Sequence, residues 1–116
     1  THETLPDSIR QVTEGKRALF VSNRADAPLR EKLVDRFHFG ELDWAESTPR
    51  RIAAAAEAIA GGRFEMVLGA TGFLDHSSDG LLHRVCKGAG IPYVRVDKGR
   101  PGAVLQAIAR DLVGGR

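Results

Sequence analysis

The chain has 116 residues, 42% of them apolar, which is enough for one compact core and too little for two. Its 17 Lys and Arg against 15 Asp and Glu leave a net charge of +2, so bulk charge does not mark a nucleic-acid binder. The single cysteine, Cys86, excludes an internal disulfide framework and any all-cysteine metal cluster within one chain.

Residues 1–16 are expected to form an N-terminal arm or short helix, and residues 17–116 a single α/β domain. From Ala18 onward, short apolar runs alternate with longer helix-period segments, the rhythm of repeated βα units. Ala18-Leu19-Phe20-Val21 reads as a buried strand, followed by a loop over Ser22 to Ala27 and a helix from about Pro28. Asp26 is placed to cap that helix, while Leu29, Leu33 and Phe37 recur on one face with Val34 beside them. Leu42-Asp43-Trp44-Ala45 alternates apolar with polar, as an edge strand does. Thr48-Pro49 then starts a helix that runs to about Ala60, with Ile52, Ala56 and Ile59 on its buried face and Gly61-Gly62 ending it.

Met66-Val67-Leu68-Gly69-Ala70 is apolar on both faces, as a central parallel strand should be. A loop over Thr71 to Ser77 leads to a helix carrying Leu82, Val85, Cys86 and Ala89, stopped around Gly88-Ala89-Gly90. Tyr93-Val94-Arg95-Val96 is a second edge strand, and after a loop over Asp97 to Arg100 a helix from Pro101 carries Val104, Ile108 and Leu112. Two apolar strands inside and two polar-interrupted ones outside predict a small doubly wound, Rossmann-like or flavodoxin-like three-layer sandwich. Its four-stranded parallel sheet takes the order 2-1-3-4.

Ligands of such sheets bind outside the carboxyl ends of the strands, where the strand order reverses. That rule selects the loops carrying Ser22, Asn23 and Arg24, Thr71 and Ser77, and Lys98 and Arg100. Hydroxyls, an amide, cations and helix starts gathered there suit a phosphate or carboxylate, with no cofactor called for. The same Ser, Thr, Asn and Asp residues also serve as ordinary caps and turn formers. Asp75, His76, Asp79 and His83 lie within nine positions and hold metal-ligating atoms, but capping by Asp79 and an exposed His83 account for the same letters, so no metal site is assigned. Cys86 falls in an apolar stripe and reads as core.

Several tenants of this architecture are excluded by missing motifs. No Gly-x-x-x-x-Gly-Lys-Ser/Thr loop and no Gly-x-Gly-x-x-Gly after the first strand is present. A receiver domain would place acids after the first strand and at the end of the third, where this chain has Ser22-Asn23 and Ala70-Thr71. Charge is uneven: residues 80–116 hold seven basic and two acidic side chains, a local +5, against −3 for the rest. Such a basic end suits either a nucleic-acid backbone or a solvated face.

The segment from Phe73-Leu74-Asp75-His76-Ser77 through Val85-Cys86-Lys87 and Ile91-Pro92 to Tyr93-Val94-Arg95-Val96 resembles a bacterial family catalogued as a domain of unknown function, number twenty-three twenty-five. The likeness runs from about Arg17 to Leu112. The resemblance implies a small Rossmann-like fold, no established activity, and added interest in His76 and Lys87. Where that family carries a glycine pair after its first strand, this chain has Ser22-Asn23.

Three functional readings follow. The first is a non-catalytic binding or regulatory module for an anionic small molecule or nucleic acid at the strand-end loops. The second is a small enzyme, a hydrolase or nucleotide-modifying, with Asp75 and His76 as acid and base. The third is a structural module that pairs as a homodimer through an edge strand near Trp44 or Tyr93. Apolar runs far below the roughly 20 residues of a membrane span, and no signal-peptide pattern at Thr1-His2-Glu3-Thr4, predict a cytoplasmic protein. A start without methionine is expected of a piece of a larger polypeptide.

Overall fold

A computed structural model describes residues 5–113. The first four residues of the expected arm, and Arg116 of the basic end, lie outside the described residues. Helix α1 (Asp7–Thr13) precedes strand β1 (Arg17–Ser22), α2 (Ala27–Phe37), β2 (Glu41–Glu46) and α3 (Pro49–Ala60). Strand β3 (Met66–Gly69), a 3-10 turn at Thr71–Phe73, α4 (His76–Ala89), β4 (Tyr93–Arg95) and α5 (Pro101–Ile108) follow, and a π turn at Ala109–Val113 is the last element of the described residues.

All strand pairs are parallel and the sheet order is β2-β1-β3-β4, as the strand composition predicts. Period-two alternation divides the core between the two faces of the sheet. Ala18, Phe20, Met66 and Leu68 point to one side, where Leu33 and Phe37 of α2, Val104 and Ile108 of α5, and Leu5 and Ile9 at α1 bury against them. Leu19, Val21 and Val67 point to the other, against Ile52, Ala55 and Ile59 of α3 and Leu82 and Cys86 of α4. The result is the three-layer sandwich. On α3 the buried alanine is Ala55 rather than the expected Ala56, which is only half-buried.

Local chemistry sets the helix ends. The Asp26 carboxylate accepts from the Leu29 N–H at 3.1 Å, and the Thr48 hydroxyl accepts from the Arg51 N–H at 3.3 Å. Helix α4 begins two residues earlier than expected, because its cap is Asp75, whose carboxylate accepts from the Ser78 N–H at 2.6 Å. His76 and Ser77 therefore belong to the first turn rather than to the preceding loop. Asp79, expected as a cap, is held elsewhere: it accepts from the Tyr93 hydroxyl at 2.7 Å and from the Arg95 guanidinium at 3.0 to 3.2 Å. Gly69 makes room for this, since a Cβ there would lie 2.7 Å from the Tyr93 ring carbon Cζ.

Both edges of the sheet carry an arginine. On β2 the Arg30 Nε donates to the Leu42 carbonyl at 2.7 Å, and on β4 Arg110 donates to the Arg95 carbonyl at 3.4 Å. Among the described residues, no helix is long and apolar enough to cross a membrane.

Candidate functional site: a cationic cleft at the strand ends

The strand order places its reversal between β1 and β3, and a cleft of about 540 Å³ opens there, within the range of roughly 300–1,000 Å³ typical of small-molecule sites. Ser22, Asn23 and Arg24 from the β1–α2 loop line one wall, and Lys98 and Arg100 from the β4–α5 loop line another. Lys32 enters from the second turn of α2, so four cations face one carboxylate, Asp26. Asp26 is already engaged in capping α2.

The loops that carry these groups are anchored. Trp44 Nε1 donates to the Arg24 carbonyl at 2.9 Å and the Ala25 N–H donates to the Glu46 carboxylate at 3.2 Å, so β2 fixes the backbone of the β1–α2 loop. Across the cleft, the Gly99 N–H closes a turn on the Val96 carbonyl at 2.8 Å, and the Gly72 N–H donates to the Asp97 carbonyl at 2.9 Å. Asp97 takes a φ of 54° in that turn, a left-handed conformation that Asp tolerates better than most residues. Gly99, at φ +82°, packs on the ring of Phe20, and Phe20 stacks on Trp44 with centroids 4.1 Å apart and planes 15° from parallel. One packed column thus runs from Gly99 through Phe20 to Trp44, and its Trp44 end lines the cleft.

Four helices start at this end of the sheet; α3, after the edge strand β2, is capped by the Thr48 hydroxyl, and the other three differ as anion sites. Free N–H groups at a helix start attract an anion, but α2 and α4 supply their own, in Asp26 and Asp75. Hydrogen bonds from Ser78, its backbone N–H first, lower the Asp75 pKa below the ordinary carboxylate range, so the cap stays ionised. Helix α5 has Arg100 at its cap position, Pro101 at its first and no side-chain cap. An incoming anion meets a neutralised helix start at α2 and α4 and an unsatisfied one beside Lys98 and Arg100.

Five of the seven residues expected to bind a ligand, Ser22, Asn23, Arg24, Lys98 and Arg100, are thus brought together, while Thr71 and Ser77 lie outside the cleft. His76 is exposed on the first turn of α4 and also lies outside it, as does Lys87 in the last turn of that helix. Asp75 is committed to its cap, which disfavours it as a proton donor. Among the described residues, no three His, Cys, Asp or Glu side chains are grouped to hold a metal. Sequence reasoning missed Lys32, Trp44 and Phe73 as wall residues. Phe73, 39% exposed, is the exposed large apolar side chain of the described residues.

No protein-family model matches this chain, and no curated protein matches it.

Proposed function

We propose that this protein is a Rossmann-like binding module that takes an anionic ligand in the strand-end cleft, with no chemistry of its own. The observation that carries the reading is the convergence of Arg24, Lys32, Lys98 and Arg100 on one cleft beside the uncapped start of α5. Arg100 and Lys98 supply charge, the first N–H groups of α5 supply donors, and Ser22 and Asn23 orient the ligand by hydrogen bonds. A binding module needs no general acid or base in the cleft, which fits the withdrawal of Asp75 into a cap. Kinship with the domain-of-unknown-function family, and a cytoplasmic setting suited to one buried thiol, belong to the same proposal.

Thermal melting in the presence of inorganic pyrophosphate tests it. Pyrophosphate is expected to raise the melting temperature, less so as salt is added, because exposed cations are screened. The variant with Lys98→Ala and Arg100→Ala is expected to lose the shift, and His76→Ala to keep it. A shift that survives the double substitution, or no shift from any anion, refutes the assignment.

A further inference from the structure

We infer that the anion is borne by a flat aromatic ring, and that the ligand is a free nucleotide whose base meets Phe73 and Trp44 while its phosphates meet Lys98 and Arg100. This rests on the anion-binding reading above and adds the ligand class. A site for a bare anion needs only donors and charge, yet here aromatic side chains arrive from two separate elements: Trp44 on strand β2 and Phe73 in the turn after β3. Trp44 is held by its stack on Phe20 and its bond to the Arg24 carbonyl, so it is a rigid platform. Phe73 leaves 39% of its surface in water. Exposing a phenylalanine costs apolar burial, and a stacking partner recovers it.

The phosphate side of the argument is equally local. With no glycine-rich loop after β1, backbone N–H groups cannot cradle a pyrophosphate there as they do in dinucleotide sites. Side-chain cations take that role, and two of the four, Lys98 and Arg100, lie on the β4–α5 side with the uncapped helix start. A free nucleotide is favoured over a nucleic-acid strand because strand binders offer successive stacking platforms along a basic groove. Here the cations close on one cleft of about 540 Å³, and Phe73 alone among the described residues is a large exposed apolar side chain.

Titration calorimetry of the whole chain with ADP, UDP, inorganic pyrophosphate and a short single-stranded oligonucleotide tests the proposal. Trp44, the chain's one tryptophan, reports occupancy by its fluorescence. ADP and UDP are expected to bind at least about tenfold more tightly than pyrophosphate and to quench Trp44, as stacking of that order requires. Phe73→Ala should remove about that tenfold from the nucleotides and leave pyrophosphate unchanged, whereas Lys98→Ala should weaken both. Nucleotides binding no better than pyrophosphate, or unaffected by Phe73→Ala, overturn the nucleotide assignment and leave the anion site standing. Binding of the oligonucleotide at least tenfold more tightly than ADP overturns the free-nucleotide assignment. No binding by any probe overturns the anion site as well.

Discussion

Substituting Gly99 by alanine tests the packed column that ends at the cleft. Gly99 and Gly62 have nearly the same φ, +82° and +84°, but a Cβ at Gly62 meets nothing within 4 Å, while one at Gly99 would press on the Phe20 ring, 3.1 Å from Cε2 and 3.3 Å from Cε1 and closer still to Cζ. Phe20 cannot yield outward, being fully buried and stacked on Trp44. Placing alanine in left-handed backbone costs about 1–2 kcal/mol at either site. The gain from a less flexible unfolded chain is also common to both and cancels in the comparison. Overpacking adds about 1–3 kcal/mol at Gly99 alone. Gly62→Ala should therefore cost about 1–2 kcal/mol and Gly99→Ala about 2–5 kcal/mol, a loss that a domain of ordinary stability survives. Urea unfolding followed by circular dichroism measures both, with unchanged slopes as the check on two-state behaviour. Trp44 emission should move in native Gly99→Ala and stay put in Gly62→Ala. Equal destabilisation of the two variants would refute the column as described.

Other consequences are as concrete. Burial works against the charge on Asp79, but hydrogen bonds from Arg95 and Tyr93 and the Arg95 charge outweigh it, so its pKa lies below the ordinary value. A lowered carboxylate stabilises the fold above its unfolded pKa of about 3.9 and loses that contribution as pH falls through the folded value. Asp79→Asn should accordingly cost about 1 kcal/mol at neutral pH and little in acid, measured by urea midpoints across the acid range; equal losses at both ends would contradict it. Burial pushes the Cys86 thiol up to about 12, so a thiol reagent should label the native protein only as fast as it unfolds. Immediate full labelling in native buffer would show that the α4 packing is misread. Arg30→Ala frees the Leu42 carbonyl on the β2 edge and should promote self-association in light scattering, where exposed Arg50→Ala does not. A monomer at high concentration for both variants would remove the protective role assigned to Arg30.

The strand order was legible because it depends on composition: β1 and β3 are apolar on both faces, and Asp43 and Arg95 mark the outer strands. Strand order alone then locates the cleft, which is why Asn23, Arg24, Lys98 and Arg100 were found without any motif. The start of α4 was not legible. Asp75, Ser77, Ser78 and Asp79 can all cap a helix, and the choice is made by β4, whose Tyr93 and Arg95 draw Asp79 away and leave the role to Asp75. The walls were hidden for a similar reason. Trp44 reads as the apolar half of an alternating strand, Lys32 as part of the polar face of α2, and Phe73 as one residue of the loop after β3 with no polar group to mark it. What makes them wall residues is the meeting of three distant loops, which no local pattern records.

The order β2-β1-β3-β4 also governs how the chain assembles as it is made. β1 is the first strand of this sheet to be synthesised and one of its two interior strands, and both of its neighbours come later in the chain, β3 only after two further helices. Parallel partners separated in this way close long loops before any contact rewards them, so β1 waits longest for cover. During that wait the run Leu19-Phe20-Val21, wholly apolar and strand-forming, is the segment most open to pairing with another nascent chain. Changes that slow the docking of β3 should thus appear first as lower yield of folded protein, before any weakness is measurable in the finished molecule.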